Sequence, residues 1–234
     1  MGCRTSRAKN QFDSWSRSYD KSILQRIFFG PSHDGLIKTC HFAEFAQVLD
    51  VGCGTGRFAR KLLDVNSTAR MVGLDLSEKM LERAKANCSQ HADRLELVQG
   101  NSESLPFDDG TFDVVTCVHS FHHYPNQAKA ASEMRRVLKD DGQLCIVDGN
   151  RDNIWGWMIY DCAVSTIEGG VHHCSAAEFR NLLTEAGFGN VEQQKIGNIV
   201  PLLLTYATCE AEAQIKTLPM AANRAAQLPL RQAA

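Results

Sequence analysis

From residue 46 onward, short apolar runs alternate with amphipathic stretches of helical periodicity. This alternation is typical of strand–helix repeats that build a mostly parallel sheet. Because crossovers between parallel strands are right-handed, the pattern predicts a Rossmann-like, doubly wound α/β fold. Five strands are expected in it, at Gln47–Val51, Met71–Asp75, Leu95–Gln99, Asp113–Val118 and Leu144–Asp148.

Between these strands, apolar residues recur three and four positions apart and share one face of a helix. The sequence therefore predicts crossover helices in the intervening stretches. Their apolar faces carry Phe58, Leu62 and Leu63, then Leu81, Ala84 and Cys88, then Ala131, Met134 and Leu138.

The same patterns suggest how the chain is organised around this core. An amphipathic helix that includes Trp15 and Tyr19 is expected to form a helical cap within residues 1–44. The main domain spans 45–209 and contains an insertion at about 151–174 that is too apolar to be left in water, so we expect it to act as a lid.

Behind the insertion, a helix with Phe179, Leu182 and Leu183 is expected to end at Gly187. Two antiparallel strands should follow in a C-terminal hairpin that turns at Gly197-Asn198. Residues 210–234 are rich in Ala and Gln without steady periodicity and are expected to be a frayed helix or a flexible tail. The strands of the hairpin are expected at Val191–Ile196 and Ile199–Thr208.

Composition narrows the function. Of the 234 residues, 44% are hydrophobic and 22% charged, which is the balance of a globular protein. The formal net charge is −2 and no basic stretch is present, so we expect a small-molecule partner and no nucleic acid. The N-terminus lacks the apolar core of a secretory signal and no apolar stretch approaches the length of a bilayer span, which favours the cytoplasm.

The nine cysteines contain no pair at CxxC spacing. This distribution indicates neither a disulfide framework nor a zinc site. Cys117 and Cys145 lie inside apolar runs, where a thiol is expected to behave as a small hydrophobic side chain.

The strongest chemical signal is the glycine-rich turn that follows the first strand. Gly52, Gly54 and Gly56 allow the backbone to turn sharply and to approach a ligand closely. A dinucleotide site would need glycine at position 57, where the chain has Arg57. The spacing therefore argues against NAD or FAD.

Two carboxylates indicate what binds instead. Asp50 precedes the turn and would repel a pyrophosphate, but it suits the ammonium group of an amino acid. Asp75 ends the second strand, where a carboxylate can accept hydrogen bonds from ribose hydroxyls. A nucleoside joined to an amino acid satisfies both.

The sequence resembles the class I S-adenosylmethionine-dependent methyltransferases, and in particular their ubiquinone/menaquinone-biosynthesis-like branch, also called methyltransferase type 11. The resemblance spans about Phe12 to Val191. It rests on Phe12-Asp13 with Tyr19-Asp20, on Val48 to Gly56, on Gly73-Leu74-Asp75-Leu76-Ser77, on Gly100 to Phe107, on Phe112-Asp113 through Phe121-His122-His123, and on Arg136-Val137-Leu138-Lys139.

This resemblance implies that S-adenosyl-L-methionine is the cofactor, with its amino group near Asp50 and its ribose on Asp75. Asn101 stands where relatives usually carry Asp for the adenine amino group, and its amide oxygen can accept the same hydrogen bond. Met80 could lie against the adenine face or belong to the core. The cofactor-binding residues implied are Tyr19, Asp50, Gly52, Gly54, Gly56, Asp75, Leu76, Met80, Asn101, Ser102 and His119.

Histidines near the end of the fourth strand are the candidates for catalysis. His119, His122 and the adjacent His123 could accept a proton from a phenol or enol as the methyl group arrives, or they could line the substrate. Methyl transfer from a sulfonium does not always need a base. The spacing of these histidines with His172, His173 and Cys174 matches no standard metal-ligand pattern, so no metal is expected.

The leading interpretation is a methyltransferase that acts on oxygen or carbon of a small, aromatic or quinone-like acceptor. The aromatic residues Trp155, Trp157 and Tyr160 of the insertion motivate that class of acceptor. Two alternatives stay open: a cofactor-binding sensor or partner subunit without turnover, and a methyltransferase of a macromolecule. The sequence indicates no oligomeric state.

Overall fold

A computed structural model of the chain describes residues 32–40, 42–164, 171–196 and 201–209. Their centre is one seven-stranded sheet with the order β3-β2-β1-β4-β5-β7-β6. The strands are β1 (Gln47–Val51), β2 (Arg70–Asp75), β3 (Leu95–Gln99), β4 (Phe112–Val118), β5 (Leu138–Gly149), β6 (Val191–Ile196) and β7 (Leu202–Thr208).

Strands β1 to β5 are parallel to one another, and β7 is antiparallel to both β5 and β6. The predicted fold class is confirmed, including the antiparallel C-terminal pair. Strand order reverses between β1 and β4, and such a reversal opens a crevice beyond the carboxyl ends of the strands.

Five helices flank the sheet in the described residues. The helix α1 covers residues 32–39. Helix α2 follows β1, α3 follows β2, and α4 follows a 3-10 turn that comes after β4. The connection 100–111 between β3 and β4 contains no helix, so helices accompany only some of the crossovers. The helices after α1 are α2 (Arg57–Val65), α3 (Glu78–Asn87), α4 (Gln127–Val137) and α5 (Ala176–Glu185).

The predicted boundaries differ most at β5. Leu138 was expected to be the last apolar residue of a helix, but it pairs with Phe112 and begins the strand. The register then shifts before Val114 pairs with Gln143. The intervening residues 139–141 are polar and largely exposed, so they carry no strand signal in the sequence.

Two apolar cores cover the two faces of the sheet. One joins α4 and α5 to the sheet through residues such as Phe121, Met134 and Leu183. The other joins α1 and α2 to the sheet through Leu36 and Leu62, both of which are buried. The crevice therefore lies above a sheet whose two faces are held by packed helices.

A disulfide bond joins Cys40, which follows α1, to Cys145 in β5. The expectation of no disulfide is wrong at this pair. The two residues are 105 positions apart in the chain and have a Cα–Cα distance of 6.7 Å. Spacing along a sequence cannot reveal that the end of α1 lies beside β5, and the apolar run around Cys145 predicts only a core thiol.

The insertion after β5 is helical at Ile154–Gly156 and continues as a π-helix at Trp157–Val164. Its apolar composition predicts that it is buried, but the segment is only partly buried. Trp157 and Met158 are about half exposed, whereas Tyr160 packs against Gly149 at the end of β5. Tyr160 thus attaches the segment to the sheet.

Several predictions fall on residues outside those described. They concern the cap helix with Trp15 and Tyr19, the side chain of Trp155, the hairpin turn at Gly197-Asn198, and the tail 210–234. Among the described residues, no helix is both long and apolar enough to cross a membrane.

Candidate functional site

A pocket lies in the crevice at the carboxyl ends of β1, β2, β3 and β4. Its empty space is about 1030 Å³, part of which is open to solvent. That size suits a cofactor together with a small substrate. Most of the predicted cofactor-binding residues line it, namely Asp50, Gly52, Gly54, Asp75, Leu76, Met80, Asn101, Ser102 and His119.

The glycine turn begins the wall of the pocket, and each glycine has its own reason to lack a side chain. A Cβ at Gly52 would collide with Ser120, and one at Gly56 would lie 2.9 Å from the Sγ of Cys88. A Cβ at Gly54 would meet no atom within 4 Å. All three have positive φ, which favours glycine. Of the three, only Gly54 has open space where a side chain would begin, and it lines the pocket.

Asp50 occupies the buried end of β1 and is only 2% exposed. Its Oδ1 accepts a hydrogen bond from the hydroxyl of Thr116 at 2.8 Å. Burial raises the pKa of Asp50 to about 7, against the opposing effect of that hydrogen bond. A cationic group in the pocket would compensate for the buried charge, as expected of a partner for an ammonium group.

Asp75 ends β2 and faces the same pocket. Its Oδ2 accepts the N–H of Gly54 at 2.9 Å and its Oδ1 accepts the N–H of Ser77 at 2.8 Å. These two bonds fix the carboxylate between the glycine turn and the start of α3. An ionised carboxylate has acceptor positions for about four hydrogen bonds, so the fixed group suits hydroxyl ligands.

Residues after β3 form the far end of the pocket. The side-chain oxygen of Asn101 accepts the N–H of Glu103 at 3.0 Å, and Ser102 is buried beside it. Met80 is 2% exposed, belongs to α3 and still lines the pocket, so it serves the core and the pocket wall together. Leu76 lies on the same side of the pocket.

His119 follows β4 with φ of 54°, a left-handed conformation that costs free energy for any residue except glycine. Its Nε2 lies 2.9 Å from the hydroxyl oxygen of Ser32 in α1. Burial lowers the pKa of His119 to about 4, so the ring is neutral at physiological pH. Strain of this kind is often found where a backbone is held for function.

His122 does not line this pocket. Its Nδ1 lies 2.6 Å from Oδ1 of Asp148, at the end of β5, and its backbone N–H donates to Oδ2 of the same carboxylate at 2.9 Å. The ring of His173 stacks on that of His122, with 4.1 Å between ring centroids, and the ring of Tyr160 also packs on His173, with 4.5 Å between centroids. The structure therefore brings His119 to the pocket and places His122 in a neighbouring buried cluster.

Among the described residues, one cluster has ligand atoms close enough together to hold a metal ion. It consists of His122, Asp148 and His173, which each offer one nitrogen or oxygen atom within 4.8 Å of the others. Two features disfavour a preformed metal site. Asp148 already accepts three hydrogen bonds, the third from the N–H of Gly149 at 2.7 Å. The two rings are within 18° of parallel, so their nitrogen lone pairs do not converge on one point.

The pocket has further lining residues, and among them the sequence singled out only His123, as a base or as a residue that lines the substrate. His33 and Arg57 come from α1 and α2, and Ser120, His123 and Tyr124 come from the segment after β4. The hydroxyl of Tyr124 donates to the backbone oxygen of Val51 at 3.0 Å and so ties that segment to the glycine turn. The adjacent histidines in the sequence did signal this segment, but not which ring faces the pocket.

The described residues fit S-adenosyl-L-methionine. The open space at Gly54 leaves room for a ligand against the backbone, and Asp50 and Asp75 provide carboxylates at the ends of neighbouring strands. Burial keeps the pocket histidines His33 and His119 neutral by lowering their pKa values to about 3 and about 4. Neutral rings do not repel a sulfonium ion.

Comparison with known proteins agrees with this fit. The profile of a family described as a methyltransferase domain matches residues 49–146. A demethylmenaquinone methyltransferase of Lactococcus lactis is 30% identical over 217 residues, which cover 82% of this chain and 85% of that protein. A demethylmenaquinone methyltransferase of Lactiplantibacillus plantarum is 32% identical, with 66% and 75% covered.

Solved structures share the fold. One is described as the putative methyltransferase in a complex with the Haloferax volcanii methyltransferase activator Trm112, and it has a TM-score of 0.74 and 22% identity, covering 85% of this chain and 97% of that one. An S-adenosylmethionine-dependent methyltransferase of Thermotoga maritima has a TM-score of 0.71 and 21% identity, with 87% and 100% covered.

Proposed function

Since the chain belongs to the class I S-adenosylmethionine-dependent methyltransferases, in their type 11 branch, we propose that its methyl acceptor is a small aromatic or quinone-like molecule, methylated at oxygen or carbon. The relatives named demethylmenaquinone methyltransferase support this class of acceptor. In this proposal the acceptor is not a nucleic acid and the enzyme works in the cytoplasm.

The observation that carries the proposed site is the placement of two buried carboxylates on either side of one glycine turn. In the proposal, Asp50 binds the ammonium group of the cofactor and Asp75 binds its ribose hydroxyls. The amide oxygen of Asn101 accepts a second hydrogen bond from the adenine amino group, in a part of the pocket that Ser102, Leu76 and Met80 also line.

When bound, S-adenosyl-L-methionine supplies a methyl group on a positively charged sulfur. The chain contributes mainly by position and by exclusion of water, because an in-line displacement depends on holding the nucleophile against the methyl carbon. In the proposal, His119 faces the acceptor and its neutral ring accepts a hydrogen bond from an acidic hydroxyl, which orients that hydroxyl toward the methyl group. For His122, a direct part in catalysis stays a prediction, and its bond to Asp148 suggests support of the wall.

The cofactor site is tested by calorimetry with S-adenosylhomocysteine. Asp75→Ala should weaken binding by at least tenfold, since a carboxylate that accepts hydroxyl hydrogen bonds is lost. Asp108→Ala in the exposed turn before β4 is the control and should bind as the unchanged protein does. Unchanged affinity in Asp75→Ala would refute the assignment.

The acceptor is tested with a panel of phenols, catechols and reduced hydroxynaphthoquinones, with product detection by mass spectrometry. The proposal expects methylation within the aromatic or quinone-like group and loss of rate in His119→Ala. Methylation of nucleic acid or protein, with no small-molecule product, would refute it.

A further inference from the structure

Arg136, in the last turn of α4, does not line the pocket, yet its guanidinium group makes five hydrogen bonds to described residues. Two of them go to Glu133 on the same helix: Nε donates to Oε1 and Nη2 donates to Oε2, both at 2.8 Å. The other three go to the connection 100–111 between β3 and β4. A guanidinium group has five N–H donors, so this network matches its full donor capacity.

These bonds attach the backbone of the connection to α4. Arg136 donates to the backbone oxygen of Leu105 at 3.0 Å and to that of Phe107 at 2.8 Å. Oε2 of Glu133 accepts the N–H of Leu105 at 2.8 Å. The two side chains thus satisfy three main-chain groups of a segment that has no helix of its own. Because backbone groups outside regular structure need such partners, Glu133 and Arg136 determine the path of the connection.

The pair of Arg136 and Glu133 is suited to hold a backbone in place. Two parallel, charge-assisted N–H···O bonds fix the plane of the guanidinium group, which the single ammonium group of Lys could not reproduce. The hydrogen bond from Arg136 lowers the pKa of Glu133, which is therefore ionised at physiological pH. The remaining bond of Arg136, to Asp109 at 2.7 Å, ends on a side chain that is 80% exposed, so it should contribute little.

The connection also reaches the pocket, through Asn101. The side-chain oxygen of Asn101 accepts the N–H of Glu103, and Oε1 of Glu103 accepts the N–H of Asn126, the N-cap residue of α4, at 2.9 Å. The backbone oxygen of Asn101 accepts the N–H of Ser104 at 3.0 Å, and Ser104 directly precedes the anchored Leu105. A short series of hydrogen bonds therefore joins Asn101 to two anchors on α4.

We propose that Arg136, paired with Glu133, positions Asn101 for the amino group of adenine and so sets the preference of the cofactor site for an adenine base. This inference rests on the proposed function, in which Asn101 binds that group, and it adds a positioning residue that does not touch the cofactor. A hydrogen bond weakens steeply as its angle departs from linearity, so a small shift of Asn101 should cost much of it. Asp50 and Asp75 lie on β1 and β2, so their binding of the other parts of the cofactor should not change.

The test compares S-adenosylhomocysteine with its deamino analogue, in which a hydrogen atom replaces the adenine amino group. Calorimetry on the full chain should find that the unchanged protein prefers S-adenosylhomocysteine by about tenfold, since the analogue lacks one hydrogen bond. Arg136→Ala should reduce this preference to about twofold or less, with the affinity for the analogue within about twofold of its original value. Arg136→Lys keeps the charge but not the paired bonds, so it should retain part of the preference.

Arg135→Ala is the matched control, because Arg135 is the neighbouring arginine of the same helix and donates instead to the backbone oxygen of Gly187 at 3.3 Å. It should keep the preference, as should Asp109→Ala, which removes only the exposed partner. The inference is overturned if Arg136→Ala keeps the preference, if it weakens both ligands equally, or if Arg135→Ala loses the preference to the same extent. Circular dichroism shows whether each variant is folded. If Arg136→Ala is not, Glu133→Gln replaces it and should lower the preference through the same pair.

The result also separates this inference from the proposed function. If the unchanged protein binds neither ligand, the proposed cofactor site fails and the role of Arg136 fails with it. If it binds both ligands equally, Asn101 does not recognise the amino group, and the inference fails while Asp50 and Asp75 keep their proposed roles. If the preference is present and Arg136→Ala keeps it, only the role of Arg136 fails.

Discussion

Asp148 holds His122 by two hydrogen bonds, one to the ring Nδ1 at 2.6 Å and one to the backbone N–H at 2.9 Å. Asp148 lies near the end of β5, and His122 follows the adjacent strand β4. The pair therefore connects the carboxyl ends of two neighbouring strands, on the side of the sheet where the pocket opens. Because the neighbouring residue His123 lines the pocket, this bond fixes the segment that forms one pocket wall.

Replacing Asp148 should therefore destabilise the protein. Burial alone would raise the pKa of Asp148, but the charge and hydrogen bond of His122 outweigh it and lower that pKa. Asp148→Asn should reduce the free energy of unfolding at pH 7 by about 2–4 kcal/mol, because a buried charged partner is removed.

The stabilisation that Asp148 provides should depend on pH in a direction set by its lowered pKa. A carboxyl group whose pKa is lowered on folding stabilises the protein above its unfolded pKa of about 4, and this contribution is lost as the pH falls. In urea denaturation, the difference between the unchanged protein and Asp148→Asn should shrink below pH 4. A difference that is constant from pH 7 to pH 3 would contradict the assignment.

The affinity for S-adenosylmethionine should depend on pH through Asp50. In the free protein its pKa is about 7, and a bound ammonium group lowers it by favouring the charged carboxylate. Binding below pH 7 must therefore release a proton, and affinity should fall by up to about tenfold for each pH unit below 7.

Calorimetry in two buffers with different ionisation enthalpies measures that proton release. Asp50→Asn should bind more weakly at pH 8 and lose most of the pH dependence between 6 and 8. Equal pH dependence in the variant and the unchanged protein would exclude Asp50 as the titrating group.

Two glycines of the turn, Gly54 and Gly52, should respond differently to alanine. Gly54→Ala places its methyl group in open space, so the free energy of unfolding should fall by only about 1–2 kcal/mol from the positive φ, while cofactor affinity falls at least tenfold. Gly52→Ala collides with Ser120 and should cost about 2–5 kcal/mol of stability. Thermal unfolding and calorimetry together distinguish these cases, and equal stability losses at both positions would contradict them.

Much of the fold follows from local pattern. The apolar runs predict β1 and β3 with their observed ends, because each lies between clear turn and helix signals. Near the pocket, Asp50, Asp75 and the glycines could be predicted because their chemistry is concentrated in one strand end and one turn. These are local features, and a sequence displays them directly.

Contacts between distant segments could not be predicted in this way. The sequence does not reveal that Ser32 meets His119, or that Asp148 takes the ring of His122 away from the pocket. It also marks two adjacent histidines alike, although backbone direction after β4 brings His123 to the pocket and leaves His122 behind it. Such choices depend on packing between elements rather than on spacing.

The bond between Cys40 and Cys145 links α1 to the sheet, and α1 carries Ser32 and His33 to the pocket. Unfolded but unreduced protein should therefore present seven reactive thiols rather than the nine that the sequence contains. Reduction should lower the free energy of unfolding by about 2–4 kcal/mol, because the cross-link restricts a long loop in the unfolded chain.

The variant Cys40→Ser/Cys145→Ser should have the reduced stability with or without a dithiol reductant, whereas Cys162→Ser, which alters an exposed thiol, should stay sensitive to reductant. Thiol titration in denaturant and urea unfolding provide the two readouts. Because α1 borders the pocket, reduction should also weaken S-adenosylhomocysteine binding in the unchanged protein and in Cys162→Ser. In the double variant, which lacks the bond, a reductant should not change the affinity. Nine reactive thiols before any reductant is added would show that the bond is absent, and the expected dependence of stability and binding on reductant would then be absent too.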